Sequence, residues 1–294
     1  MKTFEQLKRS EERFVGLETQ RGSVPQKLKR AMKIAEGAAK LHSAYQHYTS
    51  IDKLALMLKN KTLWLRRGDS PNLNDWGEWR KFGTLAEWQK TYIGCFSYGT
   101  SESALMWRMY CQPNCNAVRI SISGESFAKW VNELKRGGMV CDTRKKVDGK
   151  LKASIFASDV LYGAVAMEGD RYNEKRRNAL SWFGNCIHME NLGDYVWDKA
   201  LVARIKEYAW RQEQETRIIA QLKRTRHDVD TVAIPFPSYV LSAMRITLSP
   251  WLAEECQRCT VEKIRRMFEC AGIVIGKSAI RSSVLTGTLD QWRK

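Results

Sequence analysis

Apolar positions recur along this chain with two periods, and the switch between them marks its elements. The run AYQHYTS at Ala44–Ser50 reads as a short strand. Ile51, Leu54, Ala55 and Leu58 then recur near a 3.6-residue spacing, which predicts a helix capped by Thr49 or Ser50 with Asp52 in its first turn. Asn60 and Lys61 end that helix and TLWLR starts a strand, giving a strand–helix–strand unit. Tyr92–Tyr98 (YIGCFSY) and Asn116–Ser123 (NAVRISIS) give two further strands, the second alternating at period two. Between them SESALMWRMY predicts a helix with Leu105, Met106 and Met109 turned to the core.

Later segments follow the same logic. GESFAKWVNELKRGG predicts a helix closed by glycines. Asp194–Trp210 sets Trp197, Leu201, Ile205 and Tyr208 along one helical face, Glu213–Leu222 (EQETRIIAQL) turns into a strand, and Ala243–Leu248 (AMRITL) is another. Ser249-Pro250 predicts a helix start, N-cap then proline at N1, running towards Glu269–Gly272 with a restart at Thr260. GIVI predicts a closing strand. Residues 1–44 read as helix, a break at Gly22, Ser23 and Pro25, then the helix LKRAMKIAEGAAKL. The expected architecture is α/β (α+β): mixed sheets with flanking helices in one domain over 45–294, after a basic helical extension over 1–44. Apart from its one helix, 124–190 gives a mixed pattern and no assignment.

Charge changes the picture more than composition does. The 294 residues hold 49 Lys and Arg against 32 Asp and Glu, a net +17. Such a surface attracts polyanions, and nucleic acid is the default partner through counterion release. The plainer alternatives are a surplus spread for solubility or matched to an acidic protein. No apolar run approaches the ~20 residues that span a bilayer. MKTFEQLKRSEERF places Glu5, Glu11 and Glu12 early and lacks the apolar stretch of a secretory signal. Eight scattered cysteines suit a reducing compartment, so a cytoplasmic protein without membrane contact is expected. Cys111-x3-Cys115 and Cys256-x2-Cys259 were weighed as zinc ligands, but with no histidine near the first pair and the second in a helical stretch they read as free thiols, and no metal site is expected.

The chain has no phosphate-binding GxxxxGK[ST], no GxGxxG after a strand, no HExxH and no GxSxG. Candidate chemistry therefore rests on less familiar groupings. His47-Tyr48-Thr49-Ser50 offers an imidazole near neutral pH beside a hydroxylated ring, or a structural histidine beside a core tyrosine. On a strand, Glu213, Glu215 and Arg217 share one face; adjacent carboxylates repel and suit acid–base work, although the same pattern fits an exposed charged strand. Ser97 lies mid-strand in Cys95-Phe96-Ser97, and Trp107 is either a stacking surface for a base or a core tryptophan.

In chain order HYTS, LNDW, CFS, LMW-x2-Y, K-x3-W-x2-E-x-E-x-R and GKSAIRSS, over roughly 45–285, resemble a bacterial family, the domain-of-unknown-function family numbered 2971. That family's loop usually reads Asn-Asp-Pro where this chain has Asn74-Asp75-Trp76. Its order in turn resembles the ADP-ribosyltransferase fold: a first strand with Arg or His, a middle strand with Ser or Tyr, a later strand with the catalytic Glu. The resemblance implies NAD as substrate, with His47 on its ribose or amide, Tyr48 or Trp107 stacking on nicotinamide, Thr49 beside them, and Ser97 supporting the middle strand. It further implies Glu215 as catalytic carboxylate, Glu213 orienting or deprotonating the acceptor amine, and Arg217 steadying a carboxylate or a phosphate. A clean serine-threonine-serine motif is absent. The expected activity is transfer of ADP-ribose to a nucleobase, RNA ahead of DNA. The setting the resemblance implies is a toxin restrained by an antitoxin protein in anti-phage defence. The alternatives are a magnesium nuclease using Asp69, Asp75, Glu78, Glu213 and Glu215, and a non-enzymatic nucleic-acid-binding adaptor.

Overall fold

A computed structural model describes residues 24–71, 73, 78, 84–111, 115–144, 149–164, 180–183, 186–189 and 202–286. The described residues form a mixed α+β structure that divides into two compact units with interleaved segments. The first unit comprises Met1–His42, Leu65–Cys95 and Val131–Ala233; the second comprises Ser43–Trp64, Phe96–Trp130 and Ile234–Lys294.

In the first unit six strands close on themselves. They are β2 (Thr62–Arg67), β3 (Thr91–Tyr98), β5 (Met139–Asp142), β6 (Lys150–Asp159), β11 (Glu215–Leu222) and β12 (Thr231–Pro235), in the order β11-β6-β5-β12-β2-β3 with β3 returning to β11. Closure leaves no unpaired edge. β11 is buried at Glu215–Ala220 on both faces, as a run of Thr, Ile and Ala flanked by packing on each side requires. Helix α1 (Val24–Ala38) lies on β6, and its Ala31 and Ala35, with Ala39 just beyond, are fully buried. Alanine at every fourth position lets the helix approach the sheet closely. A second, four-stranded sheet runs β10-β7-β9-β8, from β7 (Leu161–Ala164), β8 (Leu180–Phe183), β9 (Cys186–Met189) and β10 (Ile205–Glu207).

In the second unit β1 (Ala44–Ser50) is central. It pairs antiparallel with the Phe96–Tyr98 half of β3 and, over its whole length, with β4 (Ala117–Ser123), from Ala44↔Ser123 to Ser50↔Ala117. β4 pairs with β13 (Arg245–Leu248), and β13 pairs in parallel with β14 (Ile280–Arg281). Alternation along β1 sends Tyr45 and His47 to one face and Gln46 and Tyr48 to the other. On the first face Tyr45 stacks on Phe127 with centroids 3.7 Å apart, beside Phe96, Trp130 and Phe236. Phe127 and Trp130 come from α5 (Gly124–Gly137). On the second face α4 (Ala104–Cys111) sets Trp107 edge-on to Tyr48 at 5.0 Å. Ser50 caps α2 (Ile51–Asn60), its hydroxyl accepting from the Lys53 N–H, and Lys61 ends it in the left-handed region at φ 50°.

Several expected elements differ. Met106 is buried as expected, whereas Leu105 is 43 % exposed, Met109 is half-buried and Trp107 is fully buried. Ser249-Pro250 starts a turn, not a helix: the Ser249 hydroxyl accepts from the Trp251 N–H, and α7 (Glu254–Cys270) begins four residues later and runs without a break at Thr260. GIVI forms no strand; the closing strand is Ile280–Arg281. Ile205 lies on a strand and Tyr208 in a 3-10 turn rather than on one helix. The helix over 1–23, Trp197 and Leu201 lie outside the described residues.

Candidate functional site

The carboxylate pair does not share a strand face. Glu213 ends the 3-10 turn Tyr208–Glu213, Gln214 turns the backbone with φ 45°, and β11 starts at Glu215. Glu215 and Arg217, two apart on the strand, do face the same way. Arg217 Nε and Nη2 donate to the two Glu215 oxygens at 2.8 and 3.0 Å. Its Nη1 and Nη2 donate to Glu78 at 2.6 and 2.8 Å, and Nη1 also to the Ala203 carbonyl at 3.2 Å. The guanidinium thus forks two carboxylates and uses all five of its N–H groups, which lysine cannot do. Lys206 Nζ donates to Glu213 at 2.6 Å, lies 3.6 Å from Glu215, and sits 4.6 Å above the Trp210 ring. The Glu215 N–H donates to the Tyr162 hydroxyl at 2.8 Å.

All five charged groups are buried: Glu78, Lys206, Glu213, Glu215 and Arg217. Three carboxylates face two cations, so a fully ionised cluster carries one excess negative charge. The groups divide accordingly. Burial acts to raise Glu215, yet Arg217 and then Lys206 outweigh it and hold the carboxyl at about 2. Burial pushes Glu78 above its ordinary value and the Arg217 charge only partly offsets it. Burial also drives the Cys95 thiol well above its usual range, with the Glu215 charge adding to the effect. Burial alone would lower Lys206, but Glu215 and Glu213 raise it. Arg217 and Lys206 thus favour the charged form of Glu215, whereas burial shifts Glu78 towards its neutral form.

The second unit holds a separate buried network. Gln46 makes its full set of four hydrogen bonds, donating to the carbonyls of Gly99 (2.7 Å) and Ser101 (3.1 Å) and accepting from Tyr48 Oη and Arg119 Nη1, both at 3.2 Å. Arg119, completely buried, also donates to Thr247 Oγ1 at 3.0 Å and lies 3.7 Å from Glu102. Glu102 accepts from Trp107 Nε1 at 3.2 Å, Ser283 Oγ at 2.5 Å and the Val284 N–H at 3.1 Å. Two buried polar atoms lack a hydrogen-bond partner among the described residues, Arg119 Nε and Ser97 Oγ.

Among the residues expected to hold NAD, Tyr48 and Ser97 share a face of the second unit's sheet: Ser97 is the cross-strand partner of Gln46, two residues from Tyr48. His47 and Thr49 project from the opposite face, and the His47 ring lies 5.5 Å from Phe96. They do not converge with Tyr48. Trp107 is not a stacking platform; it is fully buried, edge-on to Tyr48 and bonded through its indole N–H. Arg217 holds two carboxylates rather than a phosphate.

Sequence patterning did not find Arg119, Gln46, Glu102 or Lys206, singled out Cys95 only as a neighbour of Ser97, and found Glu78 only as a metal ligand. In NAVRISIS Arg119 falls on the polar phase, which reads as solvent-facing, yet it is completely buried with Gln46 and Thr247 as partners. Glu78 falls in the stretch RRGDSPNLNDWGEW, whose sequence shows no apolar periodicity, and only its pairing with Arg217 identifies it. Among the described residues no three His, Cys, Asp or Glu side chains group as a metal site; Asp75 lies outside them, and Asp69 pairs with Arg67 at 2.6 Å. Of the cysteines weighed for zinc, Cys111 is buried and Cys115, Cys256 and Cys259 are exposed, all as free thiols. No described helix is long and apolar enough to cross a membrane. No protein-family model, curated protein or solved structure matches the chain.

Proposed function

We propose that this protein transfers ADP-ribose from NAD to a nucleobase, RNA ahead of DNA, with Glu215 as the carboxylate that stabilises the reacting sugar. The observation that carries the reading is that Glu215 stays ionised while 3 % exposed. Heterolysis of the nicotinamide–ribose bond sends the bonding pair to nicotinamide and leaves oxocarbenium character on the sugar. A carboxylate kept charged away from water stabilises that cation strongly and needs no reorganisation to do so. A carboxylate has about four lone-pair directions. Arg217 occupies one on each Glu215 oxygen and the Cys95 thiol takes a third, which leaves one for a ribose hydroxyl without losing the guanidinium. The acceptor's exocyclic amine then forms the new C–N bond, and Glu213 takes its proton.

His47, Thr49 and Trp107 have no part in the mechanism, given where they point.

The test incubates the chain with adenylate-labelled NAD and separate RNA, DNA and protein acceptors. Label is expected in nucleic acid, RNA above DNA, and its loss is expected in Glu215→Gln. Label in protein alone, or magnesium-dependent shortening of unlabelled RNA, contradicts the proposal.

A further inference from the structure

An open groove of about 750 Å³ lies in the second unit, where α2 packs against α7. Its floor is apolar or small (Ala55, Met267 and Ala271), with the exposed thiols of Cys259 and Cys270 beside them. Its rim carries Lys59, Lys61, Lys263 and Arg266 against one carboxylate, Glu262. The asymmetry is not a property of α7 as a whole, which has as many acidic as basic residues: Arg258, Lys263, Arg265 and Arg266 against Glu254, Glu255, Glu262 and Glu269. Helical spacing sorts them. Positions 259, 262, 263, 266, 267 and 270 make one stripe, which takes two of the cations and a single glutamate. Arg258 lies 3.6 Å from that glutamate and offsets its charge. The four rim cations are all exposed, and none has a carboxylate partner among the described residues.

We infer that this groove is a docking site for the phosphate backbone of a nucleic-acid strand. The lining contains no aromatic ring, so base stacking is not its mode of recognition and contact is independent of sequence. From Cys259 to Cys270 the α7 stripe runs roughly 16 Å at 1.5 Å per residue. That length suits several consecutive phosphates better than one phosphorylated small molecule. The net +17 of the chain favours approach of a long polyanion. The inference rests on the transfer reading only in naming a nucleic acid as the polyanion.

The test is binding of short mixed-sequence single-stranded RNA, and its DNA counterpart, by fluorescence anisotropy across a salt series without NAD. Four phosphate contacts give a log K against log salt slope near −2.8, at about 0.7 per contact on single strands. The variant K59Q/K61Q/K263Q/R266Q is expected to lose most of that slope. A control, K135Q/R136Q/K150Q/K152Q, removes the same charge from exposed positions of the first unit and is expected to keep it. Bound RNA is expected to slow alkylation of Cys259 and Cys270 but not of exposed Cys115. Equal weakening of both variants, unprotected groove thiols, or protection by inorganic phosphate or phosphatidylglycerol vesicles as effective as by RNA would overturn the inference. Binding is read without NAD, and Glu215→Gln is expected to bind RNA as the parent does. Failed transfer therefore leaves the groove standing, and Glu215-dependent transfer with unaltered RNA binding in the groove variant removes the groove alone.

Discussion

Replacing Arg217 with methionine tests the buried cluster that the proposed chemistry depends on. Methionine matches the length of the side chain's stem but supplies none of the five donors. Glu78 and Glu215 lose their shared counter-charge, and Lys206, 3.6 Å from Glu215, is left against three carboxylates. Breaking a buried pair by removing one partner costs about 3–5 kcal/mol. For a domain of 150–250 residues each kcal/mol moves Tm by 2–4 °C, so the expected drop at pH 7 is roughly 6–20 °C. The pH dependence has a defined sign. In the parent, Glu215 is depressed to about 2 from an ordinary 4.5, so its contribution is complete above pH 4.5 and lost as pH falls towards 2. Without Arg217, burial dominates and raises Glu215, so its penalty is fully present at neutral pH and relieved by protonation in acid. The Tm gap between parent and Arg217→Met is therefore expected to narrow from pH 7 to pH 4.5. Arg217→Lys is not expected to rescue it, because one ammonium cannot fork two carboxylates. Differential scanning calorimetry over that range is the assay. A Tm within about 2 °C of the parent at pH 7, or a gap that widens in acid, refutes the reasoning.

Four further outcomes follow from single residues. Gln46→Leu leaves two carbonyls and a buried arginine short of partners and is expected to cost about 2–4 kcal/mol in urea unfolding. A Cβ on Gly68 would overlap the indole of Trp88, itself 1 % exposed, so Gly68→Ala is expected to lose about 1–3 kcal/mol. Gly37→Ala, with nothing within 4 Å, is expected to gain up to about 1 kcal/mol. Burial pushes the Cys111 thiol up to about 12, so mass spectrometry after alkylation at pH 8 is expected to find Cys111 unmodified while Cys115 and Cys256 react.

Elements with a local cause were legible in the sequence. β1 and α2 appear where alternation and 3.6-residue spacing put them, and Ser50 caps the helix. The Ser249-Pro250 signal failed because the same hydroxyl closes a tight turn on Trp251, which competes with helix initiation. GIVI looked like a strand by β-branching alone, whereas pairing with β13 falls at Ile280–Arg281. The candidate site was legible only in part. Glu215 and Arg217 share a face as period two requires, but the turn before β11 takes Glu213 off the strand. The dipeptide His47-Tyr48 was read as one site although adjacent strand residues point oppositely. Partners distant in sequence, Glu78 to Arg217 or Gln46 to Arg119, leave no local pattern.

The most direct measurement is single-turnover nicotinamide release from NAD with RNA present, comparing the parent with Glu215→Gln and Glu78→Gln, each confirmed folded by near-UV circular dichroism. Release is expected to fall about 10²–10³-fold in Glu215→Gln, as for removal of one preorganised charge-stabilising group, and much less in Glu78→Gln. Equal release by the parent and Glu215→Gln would contradict the account.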